Sequence, residues 1–256
     1  KVILKLMPKP ISTISLLVPF ETEKKGIDSV PKIIKAGLNT VAIEFFSRDT
    51  IIFSEEFLGK NFPDKRSNAY ILLTFEGKDK EELRYNYEQA AKLCIDELGA
   101  KDALIVDTDE RKDAVWKARG SFLEAIKSST TSLDECDVVV PRSEVAEFIN
   151  YTYEIAKKYN IRIPSFGHAG DGNLHIYICR DDYSIFEFND ILGKVFTDLY
   201  ARAKKVGGLV SGEHGIGYAK KEYMQEMLGP KQTALMNGIK KVFDPNNILN
   251  PGKVSQ

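Results

Sequence analysis

The pattern of apolar residues predicts an α+β fold, a ferredoxin-like sandwich in which helices cover a largely antiparallel sheet. Two observations carry this expectation. Residues 14–106 read strand–helix–strand and then strand–helix–strand again, the split βαβ order. The strand candidates are short apolar runs, whereas residues 80–98 place Leu83, Tyr87, Ala90, Ala91 and Cys94 on one helical face.

Taken in order, residues 14–20 (ISLLVPF) form a buried strand candidate. A helix over 23–36 follows, with Gly37 as its stop signal; Pro31 leaves the first turns open, the regular part then starting near Ser29. A strand at 41–46 leads into a polar excursion without pattern as far as Ser67, then a strand at 69–75, the helix over 80–98 and a strand at 103–106. A helix over 109–127 carries Val115, Trp116, Arg119, Phe122, Leu123 and Ile126. Residues 137–140 read as a strand ended by Pro141, and Ser143 stands as N-cap of a helix through Tyr159. A strand at 161–166 runs into His168, and another covers 174–179. Ser184 and Glu187 form a capping box before an apolar stripe from Ile185 to Leu199, and that helix stops at Gly207-Gly208. Pro230 opens a helix to Phe243, and 244–256 is an extended tail. The opening stretch, KVILKLMPKP, reads as the last strand of a preceding domain and a Pro-punctuated linker, so the chain is expected to be part of a longer protein.

Composition narrows the function classes. The 36 basic and 37 acidic residues balance without a dense basic cluster, which argues against nucleic-acid binding. Three scattered cysteines without CxxC spacing read as free thiols in a reducing cytosol. No apolar run is long enough to span a bilayer. The expected location is cytoplasmic, with peripheral membrane association left open.

Chemistry concentrates in two glycine-rich stretches, GHAGDGNLH at 167–175 and GGLVSGEHGIG at 207–217, which hold all 3 histidines. The first reads as a hairpin turn between two apolar runs. Folding it back brings His168 and His175 together, with β-carbons about 5 Å apart if they face each other across the strands. Two imidazoles suit a divalent cation, Glu213 is the obvious carboxylate to complete the set, and three protein ligands leave an open coordination position. His214 follows directly and points elsewhere, so it is free to act as a base near neutrality. Asp171 and Asn173 also read as simple turn formers. The spacing matches neither GxGxxG nor GxxxxGK[ST], so a nucleotide cradle is rejected.

GHAGDGNLH, SGEHGIG and the terminal FDPNNILNPGKV together resemble the C-terminal half of FAD-linked 2-hydroxy-acid dehydrogenases of the vanillyl-alcohol oxidase type, among them glycolate oxidase flavin subunits and D-lactate dehydrogenases. The resemblance runs from KVILKLMPKP to the C-terminus. It implies that 1–10 is the last strand and linker of a missing FAD-binding domain, 11–243 a substrate (cap) domain and 244–256 the tail. It further implies a divalent metal (zinc, iron or manganese) on His168, His175 and Glu213, with His214 as base. Arg119 would hold the substrate carboxylate, Asn173 would sit near flavin and substrate, and Asn250 near FAD. The implied reaction is oxidation of a small 2-hydroxy acid with hydride transfer to FAD. An iron–sulfur or electron-transfer flavoprotein subunit is the implied electron-transfer partner. Members selective for longer dicarboxylates carry a Thr and a Lys where this chain has Leu123 and Glu135, which favours D-lactate or glycolate. The alternatives are a metal-dependent hydrolase and a non-catalytic assembly module of a redox complex.

Overall fold

Six consecutive buried residues, 15–20, belong to β1 (Ser12–Phe20), and their burial on successive positions means that both faces of the strand are covered. The computed structural model describes residues 2–6, 9–10, 12–77 and 79–254. The chain divides into two compact units, Lys1–Ser128 and Ser129–Gln256.

In the first unit β1 pairs antiparallel with β3 (Ala69–Gly77), Leu16 opposite Leu73, and with β4 (Leu104–Val106), Leu16 opposite Ile105. β2 (Thr40–Ser47) joins the far side of β3, Phe45 opposite Ile71. This interleaving of the two strand–helix–strand runs is the predicted α+β arrangement. Helix α1 (Glu23–Lys35) is regular well before Pro31: Thr22 accepts the Lys25 N–H, and Gly26, Ile27, Val30 and Ile33 are buried, so cap and packing outweigh the hydrogen bond that proline forfeits.

The patternless excursion after β2 is instead helix α2 (Arg48–Leu58), closed by Gly59 in the left-handed conformation. Its buried positions are Thr50, Ile51 and Ser54. Two of these are small and polar, which hides the apolar period a helix normally shows. Ser54 hydrogen-bonds Ser121 at 2.9 Å, joining α2 to α4 (Asp109–Ser128). α4 in turn sets Phe122 against Phe46 of β2, with ring centroids 5.2 Å apart. Between β3 and β4 lies α3 (Lys80–Lys92), which ends in a wide π turn over Leu93–Glu97 rather than running on as α-helix to 98.

In the second unit β7 (Asn173–Cys179) is central, antiparallel to β5 (Leu133–Val139) and to β6 (Ser165–His168). β5 begins at Leu133, four residues before the expected start. Ser143 does not cap α5 (Val145–Tyr159); it lies in a single 3-10 turn, Arg142–Glu144, that Pro141 opens. Residues 161–164 are outside the regular strand, although the Arg162 and Pro164 carbonyls still accept from Cys179 and Tyr177. The Ser184–Glu187 capping box opens α6 (Ile185–Lys205), with Phe188, Val195 and Leu199 buried. A short helix that the sequence did not suggest, α7 (Lys221–Leu228), precedes α8 (Pro230–Phe243).

Of the strand and linker expected over 1–10, residues 1, 7 and 8 lie outside the described ones, and the rest are exposed without helix or strand. No helix among the described residues is long and apolar enough to cross a membrane.

Candidate metal centre

The hairpin is built as its glycines suggest. The Asp171 and Gly172 N–H groups both reach the His168 carbonyl, and Asp171 Oδ1 accepts the Asn173 N–H. Gly172 has φ +89°, and a β-carbon there would lie 2.0 Å from the Val140 carbonyl oxygen, so no other residue fits. The register places His168 opposite Asn173 and His175 opposite Phe166. The two histidines are therefore diagonal neighbours on one face rather than directly opposed, with ring centroids 5.6 Å apart.

β5 adds two carboxylates to that face: Glu135 stands opposite Tyr177 and Asp137 opposite His175. Asp137 is fully buried, and its Oδ2 accepts from Ser211 Oγ and from the N–H groups of Gly212, Glu213 and His214. The loop so held brings Glu213 Oε1 to 3.2 Å from His175 Nε2 and 3.7 Å from His168 Nε2. His214 stacks on His175 at 4.9 Å and turns Nδ1 to Glu135 at 3.1 Å. Its Nε2 is 3.7 Å from Glu213 Oε1. Adjacent loop residues thus meet different partners, yet both stay within one cluster.

Two overlapping sets of ligand atoms result, each lying within 4.8 Å of one another: His168–His175–Glu213, and Glu135–His175–His214. Burial pushes the Glu135 carboxyl up, but His175, His214 and Tyr177 together hold it below its ordinary range. Asp137 is likewise held low: burial opposes ionisation, while Ser211, the His214 N–H and the nearby Lys220 cation favour it.

Among the described residues, His175 Nδ1, Glu135 Oε1, Asp137 Oδ1 and Asn173 Oδ1 are buried here without a well-formed hydrogen bond, although His175 Nδ1 and Glu135 Oε1 lie 3.4 Å apart. Buried polar atoms are nearly always bonded, so such a concentration is compatible with a site that takes up a further group. Nitrogen and carboxylate donors at these separations fit a divalent cation of the zinc, iron or manganese kind. With His175 Nε2 turned to Glu213, its Nδ1 faces Glu135 at 3.4 Å and Asp137 at 3.8 Å, the carboxylate backing that metal-binding imidazoles use.

The remaining expected residues are placed as follows. Asn173 is buried beside Gly212, where a β-carbon would come within 1.9 Å of its Oδ1. Arg119 lies on α4 in the first unit, with Nε and Nη2 on Glu44 Oε2 at 2.9 and 2.8 Å. Asn250 sits in the tail after α8 with φ +46° and accepts from Lys253 Nζ at 3.5 Å.

Asp137 did not stand out in the sequence as a site residue, and Glu135 stood out only as a selectivity position. A signal was there: the two acids alternate within LDECDVV, putting two carboxylates on one face of a strand.

Comparison with known proteins agrees with the motifs. Residues 9–254 match the family model described as FAD linked oxidases, C-terminal domain. A D-lactate dehydrogenase of Anaerostipes hadrus is 45% identical over 98% of this chain and 54% of its own length. The glycolate oxidase subunit GlcD of Bacillus subtilis is 34% identical over 98% of this chain and 53% of its own. The chain thus spans about half the length of the curated relatives it matches. The fold is shared with p-cresol methylhydroxylase, at a TM-score of 0.71 and 17% identity over 97% of this chain and 54% of that one. The match from residue 9 to residue 254 carries the assignment: the chain belongs to the C-terminal domains of FAD-linked oxidases.

Proposed function

We propose that this chain is the substrate-binding half of a flavoprotein that oxidises a small 2-hydroxy acid, D-lactate or glycolate, to the 2-oxo acid. The observation that carries the proposal is the His168–His175–Glu213 set beside unbonded buried atoms, on a chain whose relatives include a D-lactate dehydrogenase and a glycolate oxidase subunit. Residues 11–243 serve as the cap, and an FAD-binding domain supplies the flavin.

His168, His175 and Glu213 would hold the divalent cation. The chemistry supplied from outside the chain is Lewis acidity at the substrate oxygens and hydride acceptance by FAD. His214 would take the hydroxyl proton at Nε2, with its Nδ1 3.1 Å from Glu135, a carboxylate placed to accept an Nδ1 proton and to steady the imidazolium. Arg119 is the residue that would bind the substrate carboxylate, by charge-assisted hydrogen bonds. The negative Glu135 disfavours a second carboxylate on the substrate, which supports a monocarboxylate.

The test uses the complete flavoprotein. D-lactate or glycolate should turn over in preference to D-2-hydroxyglutarate, and His214→Asn should lower kcat by about 10²–10⁴-fold while elemental analysis still finds the metal. A preference for the dicarboxylate would overturn the substrate reading, and unchanged turnover in His214→Asn would remove it as the base. Hydrolytic activity without flavin would favour the metal-dependent hydrolase instead.

A further inference from the structure

The loop carrying Glu213 and His214 has no helix or strand of its own over 211–214. One buried oxygen gathers its backbone. Asp137 Oδ2 receives Ser211 Oγ at 2.7 Å and the N–H groups of Gly212, Glu213 and His214 at 3.1, 3.3 and 3.0 Å. Successive backbone N–H groups turned onto one acceptor form a nest for an anion, and Lys220 Nζ at 3.7 Å supplies counter-charge. The same aspartate stands opposite His175 in the β5–β7 register, with its Oδ1 3.8 Å from His175 Nδ1.

We infer that Asp137 is the positioning residue of the metal centre. Held on β5 directly across from His175, it gathers three consecutive N–H groups and so sets the Glu213 carboxylate and the His214 imidazole against the hairpin histidines. A neutral side chain of the same shape cannot do this, because an amide offers a weaker acceptor and risks presenting its own N–H groups to three donors. The inference rests on the cation reading above for its purpose, but its geometry is independent of any ion.

The test compares the purified chain with Asp137→Asn by two measurements. Amide hydrogen exchange at Gly212, Glu213 and His214 should speed up by at least about tenfold in the variant, while exchange at Ile176 in β7 stays as it was. Cobalt(II) titration, followed by visible absorption, should show affinity falling about 10–100-fold with a changed band shape, since the ligands are no longer held in place. Should Asp137→Asn not fold, Ser211→Ala removes one donor, keeps the carboxylate, and should shift both measurements the same way by less. Unchanged exchange at the three amides in a folded variant overturns the inference, as does wild-type cobalt affinity with an identical spectrum. If the unaltered chain takes up no cobalt, the cation reading alone fails, and the exchange data still decide whether Asp137 holds the loop.

Discussion

Arg119 and Glu44 in the first unit close on each other: two guanidinium nitrogens meet one carboxylate oxygen at 2.9 and 2.8 Å, beside the packed rings of Phe46 and Phe122. In the second unit Glu135, Asp137 and His175 also withdraw from water, yet among the described residues each keeps a buried atom without a well-formed hydrogen bond. In the first arrangement each charge meets its opposite. A cluster with bonding capacity left over is unfavourable by itself and makes physical sense when a further group completes it.

The largest effect expected from breaking this contrast is in the first unit. Glu44→Ala leaves a mostly buried guanidinium without its carboxylate and should cost about 3–5 kcal/mol in denaturant unfolding, while zinc uptake by the chain stays unchanged. Loss of zinc uptake in that variant would show that the two charge arrangements are not independent. Next comes ligand stabilisation. Zinc at a hundred times its Kd should raise unfolding stability by about 2.7 kcal/mol, and His168→Asn should remove most of that gain; equal gains in both proteins would count against the histidine set. Gly212→Ala should cost about 1–3 kcal/mol, because the new methyl would meet Asn173 Oδ1, and the shifted loop should weaken cobalt binding as well. Calorimetry with and without cobalt separates the two effects.

The smallest effect is a pH dependence away from the site. Hydrogen bonding from Arg162 holds the Asp181 carboxyl below its ordinary range, with Nη2 and Nε at 2.5 and 2.9 Å from its two oxygens. Its folded pKa is therefore depressed. The stability it contributes is present above the unfolded value of about 3.9 and is lost as pH falls through the folded pKa. Asp181→Asn should flatten the acid limb of the stability curve there, and an unchanged slope would deny the pair that role.

Much of the fold was legible because it rests on local signals. Apolar runs marked β1 and β3, a one-sided face marked α3, and the capping box of Ser184 with Glu187 announced the start of α6. Helix α2 was not legible, since Thr50 and Ser54 on its buried face look like solvent residues until Ser121 appears beside them. The site divides the same way. His168, His175, Glu213 and His214 announced themselves by crowding into glycine loops. Asp137 did not, because its importance comes from a register with β7 and a loop 74 residues downstream, and neither is written in its neighbours.

That separation has a kinetic consequence. The β6–β7 hairpin closes over a handful of residues and can form within microseconds, so His168 and His175 meet early. Seating Ser211 on Asp137 requires closing a far longer segment and awaits the pairing of β5 with β7. The centre should therefore assemble in two stages during refolding, histidines first and the Glu213 loop last. In a stopped-flow experiment with cobalt present, the final absorption band should lag behind the recovery of secondary structure. Simultaneous recovery would mean that the loop is already held when the hairpin forms.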